Sequence, residues 1–298
     1  MRSIHTDIFI IGAGAAGMAA ALAAEEKGYK DILIAERGER AGGVLLQCSH
    51  KGFGLGFFGE DLTGIEYAAR FRMLLTRSRA RVLFGTMVLK LNDDKTALVS
   101  GQNGPMKISF KKCVMACGCR ERTIQSLDIA GTRPAGIMTC GTAQKLMNVD
   151  GIEIGGDIVI LGTGDVGQII ARQLMVSGKR VITMIEKENS PGGLKRNREN
   201  CIEAYHIPVM TNSEITRISG EGRIDGVYVR HNDTGAEEFI RCSALLTAIG
   251  MIPEKDLAED CFGNNPLPEW LLITGNCDYV HDIVDSVTAD ALKLSEVL

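Results

Sequence analysis

A duplicated segment is the feature of this sequence that most restricts the fold. Residues 7–43 align with residues 157–193 without a gap, at an offset of 150 residues, and twelve of the 37 aligned positions are identical. The matches concentrate at glycines, at apolar positions and at one glutamate, where a repeated supersecondary unit needs them. The most informative identical positions are Gly12, Gly14, Gly17, Glu36, Gly42 and Gly43, which correspond to Gly162, Gly164, Gly167, Glu186, Gly192 and Gly193.

Each copy predicts a βαβ unit that binds a dinucleotide. An apolar strand (7–11 or 157–161) leads into G-x-G-x-x-G, a helix follows (about 15–27 or 165–177), and a second strand ends on Glu36 or Glu186. The first glycine permits the tight turn, the second lets the backbone approach a pyrophosphate, and the third permits close packing of helix on strand. The glutamate, 19 residues beyond the third glycine, can accept hydrogen bonds from ribose hydroxyls.

Short β-prone runs follow each copy, over 81–117 and over 208–250, and both series end in an apolar strand that runs into a glycine. This pattern predicts an α/β protein with two Rossmann-like FAD/NAD(P)-binding domains, each a parallel sheet with a β-meander. We expect a discontinuous first domain, 1–117 with 248–298, and a second domain at 118–247.

Composition excludes several function classes. The chain of 298 residues has a formal net charge of −4 with acidic and basic residues interspersed, which argues against nucleic acid as a partner. No apolar stretch reaches about 18 residues, so we expect no membrane span. Asp7 interrupts the apolar run at the N-terminus, and the glycine spacing of that run belongs to the repeat, so we expect no signal peptide. Nine scattered cysteines without a Cys-x-x-Cys motif are typical of a reducing cytoplasm and predict neither a disulfide framework nor a metal site.

The doubled motif resembles the pyridine nucleotide–disulfide oxidoreductase superfamily, flavoproteins with two dinucleotide-binding domains, and the chain length resembles the thioredoxin reductase architecture. The resemblance implies FAD in the first domain and NAD(P)H in the second. It also implies a return strand that completes the FAD domain, here Leu271-Leu-Ile-Thr-Gly275-Asn276, and a terminal helix from about Val280. Asn276 stands where relatives carry aspartate, which weakens the expected contact with the flavin nucleotide.

Further strings resemble a narrower group. They include the run from Gly42 to Gly54 with Gln47-Cys48-Ser-His50, the run Gly118-Cys-Arg-Glu-Arg122, and Val280-His281-Asp282. They are similar to the FAD/NAD-linked oxidoreductases that accompany anaerobic-type glycerol-3-phosphate dehydrogenase and, more distantly, to opine oxidase and hydrogen cyanide synthase subunits. The resemblance implies a partner flavoprotein or dehydrogenase subunit, and a homodimer is compatible with it.

The motif and the resemblance together give two sets of cofactor contacts. For FAD they are Gly12, Gly14, Ala16, Gly17, Glu36, Arg37, Gly42, Gly43, Gln47, Gly118, Gly275, Asn276, His281 and Asp282. For NAD they are Gly162, Gly164, Asp165, Val166, Gly167, Glu186, Lys187 and Gly250. Glu186 repels a 2′-phosphate and is followed by Lys187-Glu188 rather than by two arginines, so the sequence favours NADH over NADPH.

Three residues are candidates for chemistry: Cys48, His50 and His281. Neither a Cys-x-x-Cys before the second glycine motif nor a Cys-x4-Cys after the first is present, so we expect no dithiol relay. Cys48 either helps shape the flavin pocket or acts alone as a thiolate whose pKa His50 lowers. We expect His281-Asp282 to begin the terminal helix, where His281 is either a proton donor or part of a cap.

The sequence therefore predicts an FAD-dependent NAD(H) oxidoreductase that passes electrons to or from a partner protein or a small acceptor. One alternative is a single-cysteine peroxide or disulfide reductase that uses Cys48. The other is a non-catalytic nucleotide-binding subunit of a larger dehydrogenase.

Overall fold

The computed structural model describes residues 1–263 and 265–298, and these form two compact units. Unit 1 comprises Met1–Arg120 and Ile252–Leu298, and unit 2 comprises Glu121–Met251. The predicted crossings at 117/118 and 247/248 lie somewhat earlier than the observed crossings at 120/121 and 251/252. Each crossing lies within a three-residue strand.

Regular structure covers most of the described chain. The strands are β1 Arg2–Ile11, β2 Ile32–Ala35, β3 Lys51–Phe53, β4 Leu62–Thr63, β5 Arg81–Leu83, β6 Met87–Asn92, β7 Thr96–Gly101, β8 Gly104–Met115, β9 Cys119–Glu121, β10 Ala130–Gly131, β11 Ile137–Thr139, β12 Asp157–Leu161, β13 Arg180–Ile185, β14 Val209–Met210, β15 Ser213–Glu221, β16 Arg223–His231, β17 Glu237–Arg241, β18 Ala244–Thr247, β19 Met251–Pro253 and β20 Leu271–Ile273. The helices are α1 Ala15–Glu26, α2 Gly64–Arg77, α3 Cys140–Asn148, α4 Asp165–Val176, α5 Lys195–Asn197, α6 Asp256–Phe262 and α7 Val284–Leu292. Single 3₁₀ turns cover Gly43–Gln47, Ile124–Ser126, Gly275–Cys277 and Lys293–Glu296, and a π-helical turn covers Arg198–Glu203.

The main sheet of unit 1 has the strand order β5-β2-β1-β8-β7-β6, with β20 beside β8. β1 is parallel to both β2 and β8, so the core of the sheet is a Rossmann-like parallel arrangement. Its apolar side chains alternate between the faces: Ile8 and Ile10 pack with α1, α2 and α7, whereas Phe9 packs with the opposite cluster. Both faces are therefore buried, as expected for a parallel sheet covered on each side.

Unit 2 separates the parallel sheet from the meander. The order β11-β18-β12-β13-β14 forms the parallel sheet, and β10-β15-β16-β17 forms a second sheet. The amide of Cys242 donates to Asp225 O of β16 at 3.1 Å, and the next amide, that of Ser243, donates to Asp157 O of β12 at 2.8 Å. The chain thus passes from one sheet to the other between two neighbouring residues.

The corresponding return in unit 1 differs from the prediction. The series of short β-prone runs over 81–117 was expected to end in a separate apolar strand, but the structure ends it in one twelve-residue strand, β8. Its first half pairs antiparallel with β7 and its last three residues pair parallel with β20, while β1 lies along the other edge throughout. Because β1 provides a continuous partner, no break is needed before the expected final strand.

Both copies of the duplicated unit form the predicted strand, helix and second strand. α1 and α4 end close to the predicted positions, and Gly28 and Gly178 follow them with φ of +99° and +73°, the conformation expected of C-terminal glycines. In the described part of the chain, no helix is both long enough and apolar enough to cross a membrane.

Candidate functional site

The first glycine motif combines two glycines required by packing with one that leaves space. A Cβ on Gly12, where φ is +100°, would lie 2.5 Å from Ala116 O, and a Cβ on Gly17 would lie 1.8 Å from Gly12 O. Gly14 has an ordinary φ of −75°, and a Cβ there would meet nothing within 4 Å. Since neither strain nor packing within the chain requires glycine at position 14, the absent side chain leaves room for a ligand.

The amino end of α1 is suited to an anion. The helix begins at Ala15 directly after Gly14, has no side-chain cap and carries no acidic residue in its first turn. Its unpaired amides and positive dipole therefore face the space beside Gly14. Ala16 lies against the return loop, because a Cβ on Gly275 would approach the Cβ of Ala16 to 2.7 Å. Substitution at either position would separate α1 from the return loop.

Glu36 directly follows β2 and lies beside the glycine motif. One carboxylate oxygen accepts a hydrogen bond from the Ala13 amide and the other from the Gly38 amide, each at 2.7 Å. The side chain is buried, and a carboxylate that accepts two hydrogen bonds retains lone pairs for more. Glu36 is placed to accept the ribose hydroxyls of a dinucleotide, while its neighbour Arg37 is exposed.

A Gly-Gly turn lies over the motif. The amide of Gly42 donates to Ala13 O at 2.8 Å, and a Cβ on Gly43 would lie 3.2 Å from the Cα of Gly14. Both glycines have positive φ, +139° and +54°, which side-chain-bearing residues rarely adopt. The 3₁₀ turn that follows ends on Gln47, which is half-buried.

The return loop after β20 is held by a residue that no sequence motif indicated. Asp290 of α7 accepts hydrogen bonds from the Thr274 hydroxyl and the Gly275 amide, both at 2.8 Å. Asn276 then accepts from the His281 amide at 2.9 Å and directs its side-chain amide at Cys119 Sγ, 3.7 Å away. An aspartate at position 276 would lack this donor.

The prediction that His281 and Asp282 begin the terminal helix is wrong. α7 begins at Val284, with Ile283 as its N-cap. The His281 amide closes a turn onto Asn276 and so belongs to the return loop, and the imidazole lies edge-on to Tyr279 with ring centroids 5.5 Å apart. His281 is half-buried and Asp282 is exposed.

The hypothesis that His50 lowers the pKa of Cys48 is also wrong. Cys48 is buried beneath the amino end of α2, and burial raises the pKa of its thiol to about 12. Its Sγ lies 3.4 Å from Val44 O, the acceptor for the thiol proton. The His50 ring contacts Phe53, with centroids 5.0 Å apart, and places Nδ1 3.0 Å from Lys51 O. The surroundings favour a neutral thiol at Cys48.

Unit 2 repeats the glycine geometry of unit 1. A Cβ on Gly162 would lie 2.3 Å from Ala248 O, and one on Gly167 would lie 2.9 Å from the Cβ of Ala248. Gly164 is the open position, since its nearest neighbour would be Ala248 O at 3.8 Å. α4 begins at Asp165, and Val166 lies half-buried in its first turn. This loop, too, has room for a ligand at its second glycine.

Glu186 occupies the position that Glu36 has in unit 1. Its carboxylate accepts from the Thr163 amide at 3.1 Å and from the Glu188 amide at 3.0 Å. The Thr163 hydroxyl donates to the same carboxylate and accepts from the Gly192 amide at 2.8 Å. Lys187 is exposed. Thr163 was not among the predicted site residues, although its replacement of Ala13 in the repeat was visible.

Two further side chains join the second Gly-Gly turn to the glycine motif. Asp165 Oδ1 accepts from the Leu194 amide at 2.8 Å and from the Asn197 side chain at 2.6 Å. Gln168 donates its side-chain amide to Thr163 O at 2.6 Å and to Gly192 O at 2.8 Å. Gln168 is buried, and nothing in the sequence indicated its role.

The glycines three residues beyond β8 and β18, Gly118 and Gly250, leave space beside the motifs. Gly118 and Gly250 have φ of +77° and +106°; a Cβ on Gly118 would meet nothing within 4 Å, and one on Gly250 only Arg122 Nε at 4.0 Å. The residues present therefore fit a dinucleotide in each unit. Among the described residues, no group of three or more histidine, cysteine or acidic side chains is arranged to hold a metal ion.

Comparison with known proteins agrees with this geometry. Residues 6–264 match the family model described as pyridine nucleotide-disulphide oxidoreductase. The thioredoxin reductase of Mycolicibacterium smegmatis is 26% identical over 257 residues, which are 86% of this chain and 78% of that protein. The hydrogen cyanide synthase subunit HcnB of Pseudomonas protegens is 31% identical over 186 residues, 59% of this chain and 37% of that protein.

Solved structures show the same fold. The thioredoxin reductase of T. acidophilum superposes with a TM-score of 0.78 at 20% identity, covering 99% of this chain and 97% of that one. The bacillithiol disulfide reductase of Staphylococcus aureus gives 0.76 at 15% identity, covering 99% and 98%. The chain belongs to the pyridine nucleotide-disulphide oxidoreductase family, whose members depend on FAD and NAD(P), and it is an FAD-dependent NAD(P)H oxidoreductase.

Proposed function

We propose that the protein transfers hydride between NADH and FAD, with FAD in unit 1 and NADH in unit 2. The observation that carries this proposal is the repeated geometry: in each unit an open second glycine lies beside a helix amino end and a carboxylate held by loop amides. Two such sites in one chain provide a dinucleotide position for each cofactor.

The proposed FAD contacts follow from that geometry. The amides at the start of α1 bind the pyrophosphate, Glu36 accepts the ribose hydroxyls, and the Gly42–Gly43 turn closes over the nucleotide. Gly118 and the return loop at Asn276 border the part of the site beyond the pyrophosphate. When bound, FAD supplies the two-electron acceptor that protein side chains lack.

The preference for NADH is supported by the surroundings of Glu186. A 2′-phosphate would bring negative charge to a carboxylate that is already fixed by the Thr163 and Glu188 amides. The next side chain, that of Lys187, is exposed, and Glu188 adds a second negative charge. We therefore propose that Glu186 accepts the 2′-hydroxyl of NADH and disfavours NADPH.

The electron acceptor is proposed to lie outside the chain. The sequence contains neither of the cysteine spacings that relatives use for a dithiol relay, and several relatives are named as subunits, those of hydrogen cyanide synthase, sarcosine oxidase and opine oxidase. We propose a partner protein of the flavoprotein or dehydrogenase type in the cytoplasm. The glycerol-3-phosphate dehydrogenase association indicated by the sequence motifs is the first partner to test.

An anaerobic titration tests the proposal. The purified full chain is supplied with FAD, freed of excess flavin, and titrated with NADH and separately with NADPH while the flavin absorbance is recorded. We expect one equivalent of NADH to bleach the flavin band, and NADPH to do so only at higher concentration.

Two outcomes would contradict the proposal. If the purified protein does not retain FAD, the proposal that unit 1 binds FAD is wrong. Bound flavin that neither nucleotide bleaches, even with the candidate partner added, would favour the non-catalytic subunit.

A further inference from the structure

The Gly-Gly turns of the two units are held by different hydrogen bonds. In unit 1 the Gly42 amide donates to the backbone oxygen of Ala13 at 2.8 Å. In unit 2 the Gly192 amide donates to the Thr163 hydroxyl at 2.8 Å. The backbone oxygen of Thr163 accepts the side-chain amide of Gln168 at 2.6 Å, and the same amide donates to Gly192 O at 2.8 Å. Side chains therefore hold the turn of unit 2 where the backbone holds that of unit 1.

Asp165 adds a carboxylate to these contacts. It is the first residue of α4, and its Oδ1 accepts from the Leu194 amide at 2.8 Å and from the Asn197 side chain at 2.6 Å. Both donors are uncharged. The Arg198 guanidinium, in the same segment, donates to Pro191 O at 3.2 Å, and within the described ranges 1–263 and 265–298 Asp165 belongs to no ion pair. The amino end of α4 thus carries a negative charge of the chain itself.

This charge lies close to the proposed phosphate position. A Cβ on Gly193 would lie 2.9 Å from Asp165 Oδ1 and 3.2 Å from the Asp165 backbone nitrogen. The carboxylate and the first amide of α4 therefore border the same small space beside Gly193. The first amides of a helix are the groups that bind a pyrophosphate in dinucleotide sites. A pyrophosphate bound there would have a group of like charge beside it.

Unit 1 has no charge at the equivalent position. Ala15 stands there in the repeat, and the first turn of α1 contains no acidic residue. The equivalents of Thr163 and Gln168 are Ala13 and Met18, which are buried and apolar. The amino end of α1 is thus open to a ligand anion, whereas that of α4 already has a carboxylate beside it.

We propose that Asp165 is a specificity-determining residue, which makes unit 2 a site for an exchangeable nucleotide rather than for a resident cofactor. Its charge repels the pyrophosphate and weakens the binding of both NADH and NAD⁺. The oxidised nucleotide therefore leaves readily after hydride transfer, whereas FAD binds to an acid-free helix end in unit 1. This inference rests on the proposed binding of NADH in unit 2. It gives Asp165 an effect opposite to that of an attractive contact with the nucleotide.

Asp165→Asn separates the charge from the hydrogen bonds. Asparagine has the same shape and keeps Oδ1 as the acceptor for the Leu194 amide and the Asn197 side chain, but it removes the negative charge. The repulsion acts on phosphates, so ligands with and without phosphates distinguish it from a change in the shape of the site. NAD⁺, ADP and adenosine are the probes.

Isothermal titration of the FAD-loaded full chain tests the proposal. FAD fills unit 1, and the three probes donate no hydride, so the flavin stays oxidised during the measurement. We expect Asp165→Asn to lower the Kd of NAD⁺ and of ADP about tenfold. The Kd of adenosine, measured by its displacement of NAD⁺, should change less than about twofold because adenosine has no phosphate. At about 0.5 M salt the gain for ADP should shrink, since salt screens the repulsion.

Two control variants are available in the same unit. Glu188→Gln makes the same change of charge at an exposed side chain and should change the Kd of ADP less than about twofold. Asn197→Ala removes one donor to Asp165 and keeps the charge, so it should not lower the Kd of ADP. If Asp165→Asn fails to fold, Asp165→Ser takes its place, because serine keeps an acceptor oxygen at this position.

The outcomes separate this inference from the proposed function. Wild-type binding of NAD⁺ with no gain in Asp165→Asn, or an equal gain for adenosine, would overturn the role of Asp165 alone. If neither wild type nor Asp165→Asn binds NAD⁺ or ADP, the proposed nucleotide site of unit 2 is wrong, and the inference is wrong with it.

Discussion

The hydroxyl of Thr163 is hydrogen-bonded to the carboxylate of Glu186, a contact that the first copy of the repeat cannot make because alanine stands at position 13. The same hydroxyl accepts the Gly192 amide at 2.8 Å. Thr163 therefore joins the Glu186 carboxylate, the proposed ribose acceptor, to the Gly-Gly turn in unit 2, where unit 1 uses the Ala13 backbone alone. The two sites have the same backbone geometry, but the carboxylate of Glu186 accepts an additional side-chain hydrogen bond that Glu36 lacks.

Removing that hydroxyl should weaken NADH binding and spare FAD. In Thr163→Ala the carboxylate of Glu186 loses one donor and the Gly192 amide loses its acceptor, so both must reorganise when nucleotide binds. We expect the Kd for NADH to rise about tenfold, equivalent to ~1.4 kcal/mol, with unchanged FAD content. Isothermal titration of the flavin-free protein with NADH measures the first quantity, and the absorbance of the FAD-loaded protein measures the second.

Thr216→Ala is the matched control, because Thr216 also donates to a glutamate of unit 2, Glu237, but in the meander sheet. Equal Kd values for NADH in the two variants would show that the Thr163 contact has no part in binding.

The charge of Glu186 should set the nucleotide preference. Glu186→Gln keeps the size of the side chain and removes the repulsion of a 2′-phosphate. We expect the ratio of kcat/KM for NADPH to that for NADH to rise by at least about tenfold, which is ~1.4 kcal/mol of relative transition-state stabilisation. The ratio is obtained from the rates of flavin reduction, recorded over a series of concentrations of each nucleotide.

Glu188→Gln makes the same change of charge two residues further on, at an exposed side chain. It should alter the ratio much less. If the ratio changes equally in both variants, the total negative charge of the loop selects the nucleotide, and direct contact with Glu186 does not.

Two glycines of the first motif should respond to alanine in opposite ways. A methyl group on Gly17 would lie 1.8 Å from Gly12 O, so Gly17→Ala should lower the free energy of unfolding by about 2–3 kcal/mol or prevent folding. A methyl group on Gly14 meets no atom of the chain within 4 Å, so Gly14→Ala should fold with a stability within about 0.5 kcal/mol of wild type.

Gly14→Ala should nevertheless lose FAD affinity by at least about tenfold, because the methyl group would occupy the space in which we propose that the pyrophosphate binds. Denaturant unfolding of the flavin-free proteins and fluorescence titration with FAD separate the two effects. If Gly14→Ala binds FAD as wild type does, the open position is not the phosphate site.

The repeat could be predicted from the sequence because its signals are local. Glycine spacing, alternation of apolar residues and the acid at the end of β2 or β13 all lie within one βαβ unit, and both units form as expected. The start of α7 was predicted too early. The His281 amide donates to the Asn276 side chain and so belongs to the return loop, and the sequence after Val280 does not reveal this contact.

Contacts between distant parts of the chain could not be predicted from the sequence. The pairing of β20 with β8 brings the segments after Ile273 and Met115 to one edge of the sheet, and local sequence patterns do not reveal a pairing between residues so far apart in the chain. The role of Asp290 in holding the Thr274–Gly275 turn is hidden for the same reason. By contrast, the sequence does show that Thr163 stands where the first copy has Ala13. Its hydrogen bond to Glu186 could not be predicted, because it depends on the position of the Glu186 carboxylate in the fold.

The buried thiol of Cys48 predicts a specific loss of stability at alkaline pH. Its pKa is about 12 in the folded protein, against 9.0 for an exposed thiol. A thiol whose pKa is raised by folding contributes its full stabilisation below pH 9, and this contribution is lost as the pH rises from 9 towards 12. At about pH 10 the loss from one such thiol is about 1.4 kcal/mol.

Replacing Cys48 by alanine should therefore reduce the fall in unfolding free energy between about pH 8 and pH 10 by about 1.4 kcal/mol, because every other thiol contributes equally to both proteins. Cys242→Ala is the matched control, since burial also raises the pKa of Cys242 to about 12. Urea unfolding under reducing conditions at both pH values measures the difference. If Cys48→Ala retains the wild-type pH dependence while Cys242→Ala does not, the Cys48 thiol ionises as readily in the folded protein as in the unfolded chain, and burial does not hold it neutral.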